Sequence, residues 1–298
     1  MKIISGSSNT QLASQIAHQL NIPLMDTEIT QFANGEKRVW IKEAVRGENV
    51  ILVQSFSQPT DENIMEFLLL TDALERLGVR HISLFLPWMG YSLQDKVFRE
   101  GEPIAAKVVA DLISNVYIKR VFLLDLHNTS IPGFFSIPTE YLSAMSLFVD
   151  YVKTNIDLSQ AVVASPDFGG LKRARLFAKT LGLDLVNIDK DRNLQTGEVT
   201  AFGVHGNVKN KIVLLFDDCI LSGGTVVEAA EILKKEGAKQ VYFLATHGLF
   251  TGEAKEKLQK SMVDKVVITN SIAQDNLPKK IDVLDLSSIF VNAINDWM

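Results

Sequence analysis

The sequence predicts an α/β protein made of two similar units, each with a mostly parallel sheet flanked by helices. Short apolar, β-branched runs alternate with helix-length patterns, as expected for parallel strands joined by crossover helices. The run at residues 212–216 is apolar at every position and bounded by charge, which indicates a strand covered on both faces. A third observation is that the pattern of the first half returns in the second half.

The internal repeat is clearest in the first predicted helix of each half. One face of each helix carries small and apolar residues at the same spacing: Ala13, Ile16, Ala17 and Leu20, then Ala174, Phe177, Ala178 and Leu181. Residues 78–85 and 237–244 repeat in the same way after a later helix. We therefore expect one duplicated α/β unit, with domains at 1–145 and 146–275. A C-terminal segment, 276–298, is expected to pack back onto the first domain.

Polar residues follow several predicted strands. The strands are expected at 2–5, 50–54, 81–87 and 120–126, then at 161–165, 184–188, 212–216 and 240–245, with 265–269 at an edge. Ligands of open α/β sheets bind beyond the carboxyl ends of the strands. The polar residues that come directly after these strands are therefore candidate ligand contacts: His127, Asp167, Lys190, Arg192, Asp217 and Asp218.

Composition limits the classes of function. The 298 residues are 47% hydrophobic and 22% charged, as in an ordinary globular protein. The net charge is -5 and basic residues are scattered, which argues against nucleic acid as a partner. A single cysteine, Cys219, excludes an intramolecular disulfide and a multi-cysteine metal cluster. Without a long apolar run or a signal peptide, we expect a cytoplasmic protein with no membrane partner.

The segment from 212 to 237 carries the strongest single signal. After its strand come Asp217 and Asp218, then the small residues Ser222, Gly223 and Gly224. Thr225 and Glu228 form a possible capping box, which predicts a helix start there. Backbone N–H groups at such a helix start bind phosphate, and the carboxylates suit ribose hydroxyls or a hydrated cation. The alternative is an ordinary strand-to-helix turn with solvated carboxylates.

The chain resembles the ribose-phosphate pyrophosphokinase family over nearly its whole length. The motifs that carry the resemblance, in chain order, are Phe32-Ala33-Asn34-Gly35-Glu36, Pro87-Trp88-Met89-Gly90-Tyr91, Gln94-Asp95, Gly101-Glu102-Pro103-Ile104, Asp125-Leu126-His127, Gly133-Phe134-Phe135-Ser136-Ile137-Pro138, Ser165-Pro166-Asp167, Lys190-Asp191-Arg192, Asp217-Asp218 with Gly223-Gly224-Thr225, and Thr246-His247-Gly248. The resemblance implies two tandem type I phosphoribosyltransferase-like domains, which agrees with the internal repeat.

A mechanism follows from this resemblance. The anomeric hydroxyl of ribose 5-phosphate would attack the β-phosphorus of Mg-ATP, giving phosphoribosyl pyrophosphate and AMP. Lys190 and Arg192 would be catalytic, on or beside a lid at residues 193–208 that closes to exclude water. Mg²⁺ is the implied cofactor, with His127 and Asp167 as the metal-binding residues. Because Mg²⁺ keeps most of its waters, two scattered positions are enough.

The same resemblance assigns the substrate contacts. The residues implied to bind ATP are Phe32, Asn34, Gly35, Glu36, Gln94, Asp95 and His127. The residues implied to bind ribose 5-phosphate are Asp217, Asp218, Leu221, Ser222, Gly223, Gly224 and Thr225. In the family, the positions of Asn34 and Glu36 contact adenine from a neighbouring subunit. A homo-oligomer built from dimers, up to a hexamer, is therefore implied.

Two positions depart from the family pattern. Leu93 stands where the family usually has an ATP-contacting arginine, and Leu221 stands where the sugar-phosphate loop usually has a third carboxylate. Leucine neither donates nor accepts a hydrogen bond. Arg99 and Lys96 are candidates to replace the lost ATP contact. Two alternatives stay open: a catalytically impaired homologue that binds nucleotide or sugar phosphate as a regulatory subunit, and a phosphoribosyltransferase that uses the same loop.

Overall fold

The computed structural model describes residues 1–166, 169–192 and 199–297, and its backbone contacts divide it into two compact units. The first unit comprises Met1–Ser143, Ser271–Ala273 and Asp285–Met298. The second comprises Ala144–Asn270 and Gln274–Leu284. As functional domains, the ranges 1–145, 146–275 and 276–298 stay a prediction.

The strands and helices alternate along the chain. In chain order the strands are β1 (Lys2–Ser5), β2 (Thr27–Gln31), β3 (Lys37–Ile41), β4 (Asn49–Val53), β5 (His81–Leu86), β6 (Arg120–Leu124), β7 (Thr139–Leu142), β8 (Ala161–Ser165), β9 (Leu185–Arg192), β10 (Val199–His205), β11 (Ile212–Ile220), β12 (Gln240–Gly248), β13 (Lys265–Thr269) and β14 (Ile281–Leu284). The α-helices are α1 (Thr10–Leu20), α2 (Thr60–Arg76), α3 (Ala105–Ser114), α4 (Met145–Asn155), α5 (Leu171–Leu181), α6 (Gly224–Lys235), α7 (Ala254–Lys260) and α8 (Ser287–Trp297).

The first unit contains a parallel five-stranded sheet in the order β1-β4-β5-β6-β7. Its central strands are apolar and buried, as expected for a sheet covered by helices on both faces. Helix α1 begins with a capping interaction in which Asn9 Oδ1 accepts from the N–H of Leu12. A separate antiparallel pair, β2 and β3, lies between α1 and β4 in the chain, and β3 packs against α2.

The second unit contains a seven-stranded sheet in the order β10-β9-β8-β11-β12-β13-β14. Every neighbouring pair is parallel except β9 and β10. The face of α5 predicted from the repeat is buried, and Phe177 on this face stacks on Phe216 of β11, with ring centroids 4.2 Å apart. Phe148 of α4 meets the same ring edge-on at 5.4 Å. These aromatic contacts fix two helices on one face of the sheet.

The two units share one topology, which accounts for the internal repeat. The order β1-β4-β5-β6-β7 in the first unit corresponds to β8-β11-β12-β13-β14 in the second. In each, a helix and an antiparallel pair separate the first strand from the second in the chain. The terminal helices are exchanged: α8 follows β14 but belongs to the first unit, where Gln19 Nε2 of α1 donates to Ser287 Oγ at 2.7 Å. Helix α4 follows β7 but belongs to the second unit.

Several element predictions were wrong in detail. Strand β13 is not an edge, because β14 pairs beyond it. Strands β9 and β11 run past their predicted ends, and β10 occupies part of the predicted loop at 193–208. Helix α6 begins at Gly224, with Gly223 at the N-cap and no side-chain capping bond, so the predicted capping box at Thr225 is wrong. Within the described residues, no helix is long and apolar enough to span a membrane.

Candidate functional site

The predicted adenine contacts lie on the turn between β2 and β3 in the first unit. The N–H of Phe32 donates to the carbonyl of Glu36 at 2.8 Å, and the N–H of Gly35 donates to the carbonyl of Phe32 at 2.9 Å. Asn34 Oδ1 accepts from the N–H of Glu36 at 3.2 Å. The side chain of Phe32 is 54% exposed, and the rest of the turn is exposed as well. The backbone is therefore well defined, while the side chains face solvent.

The segment after β5 carries Gln94 and Asp95, both half-buried. The N–H of Gln94 donates to the carbonyl of Tyr91, and the Gln94 carbonyl accepts from the N–H of Ala106 at the start of α3, both at 3.1 Å. These bonds anchor the segment to the helix. Leu93 is half-buried too, so an apolar side chain stands in this anchored segment at the position where the resemblance predicts an arginine.

Tyr91 gives this segment an unusual backbone. Its φ is +66°, which is strained for a residue other than glycine. The Tyr91 hydroxyl donates to Asp61 Oδ1 at 2.5 Å, and this hydrogen bond raises the pKa of the tyrosine. A second strained residue, Asp125 with φ +34°, precedes His127. Because strained non-glycine residues concentrate at functional sites, both strained positions support a binding role for the loops that contain them.

The end of β6 presents His127. Its side chain is exposed, whereas Asp125, two residues earlier, is buried and accepts from Ser143 Oγ at 2.7 Å. The next residue, Asn128, donates from Nδ2 to Asp95 Oδ2. The structure thus brings together the two predicted ATP segments that contain Asp95 and His127.

In the second unit, the predicted sugar site begins inside β11 rather than after it. Pairing of β11 with β8 ends at Leu215, but pairing with β12 continues as far as Ile220. The part of β11 that contains Asp217 and Asp218 is therefore bordered by β12 on one edge. On its other edge this part extends beyond the end of β8. Asp218 is buried and Asp217 is half-buried. Such an opening, where one strand stops short of its neighbour, is where α/β sheets bind ligands.

Arg173 is a site residue that the sequence analysis missed. Its Nη1 lies 3.0 Å from Asp217 Oδ1 and 2.8 Å from Asp218 Oδ1. It stands in the first turn of α5, which lacks acidic residues. A cation there lies close to the positive end of the helix dipole, which is electrostatically unfavourable. That unfavourable placement was a signal that the arginine has a specific partner.

The loop after β11 leads into α6. Its backbone is held by β12 and the following turn, since the N–H of Thr251 donates to the carbonyl of Leu221 at 3.0 Å. Gly223 has φ +76° and is the N-cap, a conformation that favours glycine. Ser222 and Thr225 are exposed, and Leu221 is 40% exposed. The N–H groups of the first turn of α6 thus stand beside polar side chains, as a phosphate site requires.

The predicted catalytic cations lie on β9. Lys190 pairs with Ala201 of β10, and Arg192 pairs with Val199, so both belong to an antiparallel strand pair rather than a loop. The backbone places them beyond the predicted end of this strand at residue 188. Asp167 and residues 193–198 lie outside the described residues, so the predicted metal contact and part of the predicted lid stay predictions.

The donor chemistry suits a hydrated Mg²⁺ ion. Among the described residues, no group of three or more His, Cys, Asp or Glu side chains is arranged to hold a metal. Mg²⁺ in phosphotransfer sites takes one or two protein carboxylates and fills its remaining positions with water and substrate phosphates. The exposed imidazole of His127 beside the Asn128–Asp95 pair is compatible with such water-mediated binding.

Comparison with known proteins supports one family throughout. Residues 1–116 match the model of the N-terminal domain of ribose phosphate pyrophosphokinase, and residues 193–297 match the phosphoribosyl synthetase-associated domain. A ribose-phosphate pyrophosphokinase of Campylobacter jejuni is 42% identical, covering 98% of this chain and 94% of the relative. One from Thermotoga maritima is 40% identical, covering 99% and 94%.

A solved structure gives the same result for the fold. The phosphoribosylpyrophosphate synthetase of Mycobacterium smegmatis superposes with a TM-score of 0.92 at 33% identity, covering 99% of this chain and 98% of that chain. This likeness confirms the predicted α/β fold class, in which mostly parallel sheets are flanked by helices. None of these similarities tests the roles of individual site residues.

Proposed function

We propose that this chain, which belongs to the ribose-phosphate pyrophosphokinase family, transfers the diphosphoryl group of Mg-ATP to the anomeric hydroxyl of ribose 5-phosphate. The products are phosphoribosyl pyrophosphate and AMP. The observation that carries the proposal is the second unit's opening beyond β8. There, two carboxylates are followed within one loop by the N-terminus of α6.

The sugar phosphate fits this opening by charge and hydrogen bonding. The 5-phosphate binds at the first turn of α6, where backbone N–H groups and the hydroxyls of Ser222 and Thr225 donate to its oxygens. Asp217 and Asp218 accept from the ribose hydroxyls. Because Arg173 compensates both carboxylates, they keep one orientation and do not repel each other. The sugar is held at both ends, which aligns its anomeric hydroxyl for attack.

The nucleotide binds to the first unit through the loops described above. Gln94, Asp95 and His127 contact ATP of their own chain. The exposed Phe32–Glu36 turn contacts the adenine held by a neighbouring copy, so the protein acts as a homo-oligomer built from dimers. Lys190 and Arg192 donate to the diphosphoryl oxygens as negative charge spreads over them. We expect the lid predicted at residues 193–208 to close over this group and exclude water.

Mg²⁺ is the proposed cofactor. When bound, it would neutralise charge on the ATP phosphates. His127 and Asp167 are the residues that would hold it, with Asp167 on the sugar side. The chain's own residues therefore orient the two substrates, exclude water and stabilise the transferring group.

The test is a turnover assay with purified protein, ribose 5-phosphate, ATP and Mg²⁺. AMP and phosphoribosyl pyrophosphate are expected to appear together in equal amounts. Lys190→Ala is expected to lower kcat by about 10²–10³, while Lys211→Ala, a change at a lysine just before β11, serves as the matched control. Wild-type product formation no faster than that of Lys190→Ala would refute catalysis.

Leu93 and Leu221 are the reason to test one alternative, a catalytically impaired homologue that binds nucleotide or sugar phosphate as a regulatory subunit. Both lie in loops whose backbones are anchored, so the lost polar groups are not replaced by a change of fold. This alternative predicts measurable binding of ATP and ribose 5-phosphate by calorimetry together with no product. Restoration of activity by Leu93→Arg combined with Leu221→Asp would then identify the two leucines as the cause.

A further inference from the structure

A fully buried carboxylate lies at the carboxyl ends of β1 and β4 in the first unit. Glu66 of α2 is 0% exposed and accepts from four donors. Its Oε1 accepts from the N–H of Ser7 at 2.6 Å and from Gln54 Nε2 at 3.1 Å. Its Oε2 accepts from Ser7 Oγ at 2.7 Å and from Lys37 Nζ at 3.1 Å. A buried charge is stable only when it is paired and hydrogen-bonded in this way.

Strand register shows what this carboxylate replaces. Asn49 pairs with His81 in the first unit as Ile212 pairs with Gln240 in the second, so Gln54 occupies the position of Asp217. The loop from β1 to α1, which donates through Ser7, corresponds to the loop from β8 to α5. In the second unit, Asp217 belongs to the proposed sugar site. In the first unit, the corresponding place is occupied by the carboxylate of Glu66 and its hydrogen bonds.

Lys37 connects this closed site to the adenine turn. It is the first residue of β3 and directly follows Glu36. Its side chain is only 16% exposed, and Nζ also lies 3.7 Å from Glu62 of the same helix. The turn from Phe32 to Glu36 is otherwise exposed. An ion pair to a buried group of α2 thus restrains the turn at its base, where β3 begins.

We propose that Lys37 and Glu66 are positioning residues that hold the β2–β3 turn in the conformation that binds adenine. This inference rests on the proposed function, because it assigns a task to the turn that contacts ATP. Without Lys37, Glu66 loses a cation and the unit becomes less stable, but the hydrogen bonds from Ser7 and Gln54 still hold the ends of β1 and β4. The turn loses its attachment to α2, so ATP binding must also order the turn, and this entropy cost lowers the affinity. Ribose 5-phosphate binds in the second unit and is unaffected.

The experiment compares Lys37→Met with Lys42→Met. Lys42 follows the other end of β3 and pairs with Asp26 and Glu28, so its replacement also removes an ion pair from the same strand pair. Titration calorimetry with Mg-ATP alone is expected to show about tenfold weaker binding for Lys37→Met, equivalent to about 1.4 kcal/mol, and little change for Lys42→Met. Lys37→Arg, which keeps the charge, is expected to recover most of the affinity.

Kinetics separate positioning from a general loss of structure. For Lys37→Met, the KM for ATP is expected to rise about tenfold while kcat and the KM for ribose 5-phosphate stay within about twofold of wild type. If the variant does not fold, the double variant Lys37→Met with Glu66→Gln removes both charges and is measured in its place. Unchanged ATP affinity in the folded variant, or an equal loss in Lys42→Met, would overturn the proposal. Since binding is measured without turnover, this result is independent of whether the wild type is active.

Discussion

Arg173 offers a direct test of how the proposed sugar site is organised. Its guanidinium bridges Asp217 and Asp218, and the three side chains are 20%, 14% and 4% exposed. Replacement by methionine keeps the length of the side chain but removes the charge. Two neighbouring carboxylates are then left without this cation in a largely buried place. They repel each other and lose the bonds that fix their orientation.

The size of the effect follows from this burial. Removal of one partner from a fully buried ion pair costs about 3–5 kcal/mol of folding stability. Because Arg173 keeps some exposure to solvent, we expect a cost at or below the lower limit of that range, about 2–3 kcal/mol. For a unit of this size, that corresponds to a fall of roughly 5–10 °C in the melting temperature. We expect the dissociation constant of ribose 5-phosphate to rise about tenfold as well, because misoriented carboxylates accept poorly from the ribose hydroxyls.

Calorimetry measures both quantities. Scanning calorimetry gives the melting temperature, and titration calorimetry gives the affinity for ribose 5-phosphate. Arg175→Met is the matched control, since Arg175 is exposed on the same helix. Arg173→Lys keeps the charge and is expected to recover part of both losses. Arg173 would have no such role if Arg173→Met melted and bound like Arg175→Met, or if it bound the sugar phosphate more tightly than wild type.

Three further predictions concern separate parts of the molecule. Leu221→Asp is expected to tighten ribose 5-phosphate binding roughly tenfold or more, because a charged hydrogen bond contributes about 1.5–3 kcal/mol; unchanged affinity by titration calorimetry would contradict this. Gly6→Ala is expected to destabilise the first unit by about 1–3 kcal/mol in urea unfolding, because the new Cβ would lie 2.0 Å from Gln54 Oε1. Gly133→Ala is the control, since a Cβ at Gly133 would meet nothing within 4 Å. Burial and a hydrogen bond to Asp282 raise the pKa of Tyr151, so stability is complete below the ordinary tyrosine pKa of 10.0 and falls as the pH rises above it. Above pH 10, the free energy of unfolding of Tyr151→Phe should therefore fall less steeply with pH than that of wild type. An equally steep fall in the two proteins would be evidence against a raised pKa of Tyr151.

The sequence predicted the parts of the fold that depend on regular apolar patterns. The buried strands and the repeated faces of α1 and α5 were confirmed because burial imposes a strict periodicity on them. Edges were predicted less well. Strand β14 has partly exposed residues and a short length, so its apolar pattern is weak, and without it β13 was expected at the edge. The extension of β11 was missed because its added residues include two aspartates, which are rare in strands.

The sequence predicted the candidate-site residues that stand in local motifs, but it did not predict the contacts between residues far apart in the chain. Asp217, Gly223 and His127 stand in local motifs, so their positions follow from the order of residues along the chain. Arg173 meets its aspartates across 44 and 45 residues, and Lys37 meets Glu66 across 29. Such pairs leave no local pattern, because a charged residue on a helix surface looks the same whether it faces solvent or a partner.

Duplication explains why one molecule can bind two different phosphate compounds. In the first unit the carboxyl ends of β1 and β4 lie side by side, and in the second unit those of β8 and β11 do. Open α/β sheets bind ligands beyond such strand ends. In the second unit, β11 carries Asp217 and Asp218 beyond the end of β8, and both pair with Arg173. In the first unit the corresponding ends of β1 and β4 are filled by the Glu66 network, and the predicted ATP contacts lie instead on the β2–β3 turn and on the loops after β5 and β6. Loss of the ion pair between Lys37 and Glu66 is therefore expected to weaken ATP binding at the β2–β3 turn and to leave ribose 5-phosphate binding unchanged. Lys37→Met tests this difference.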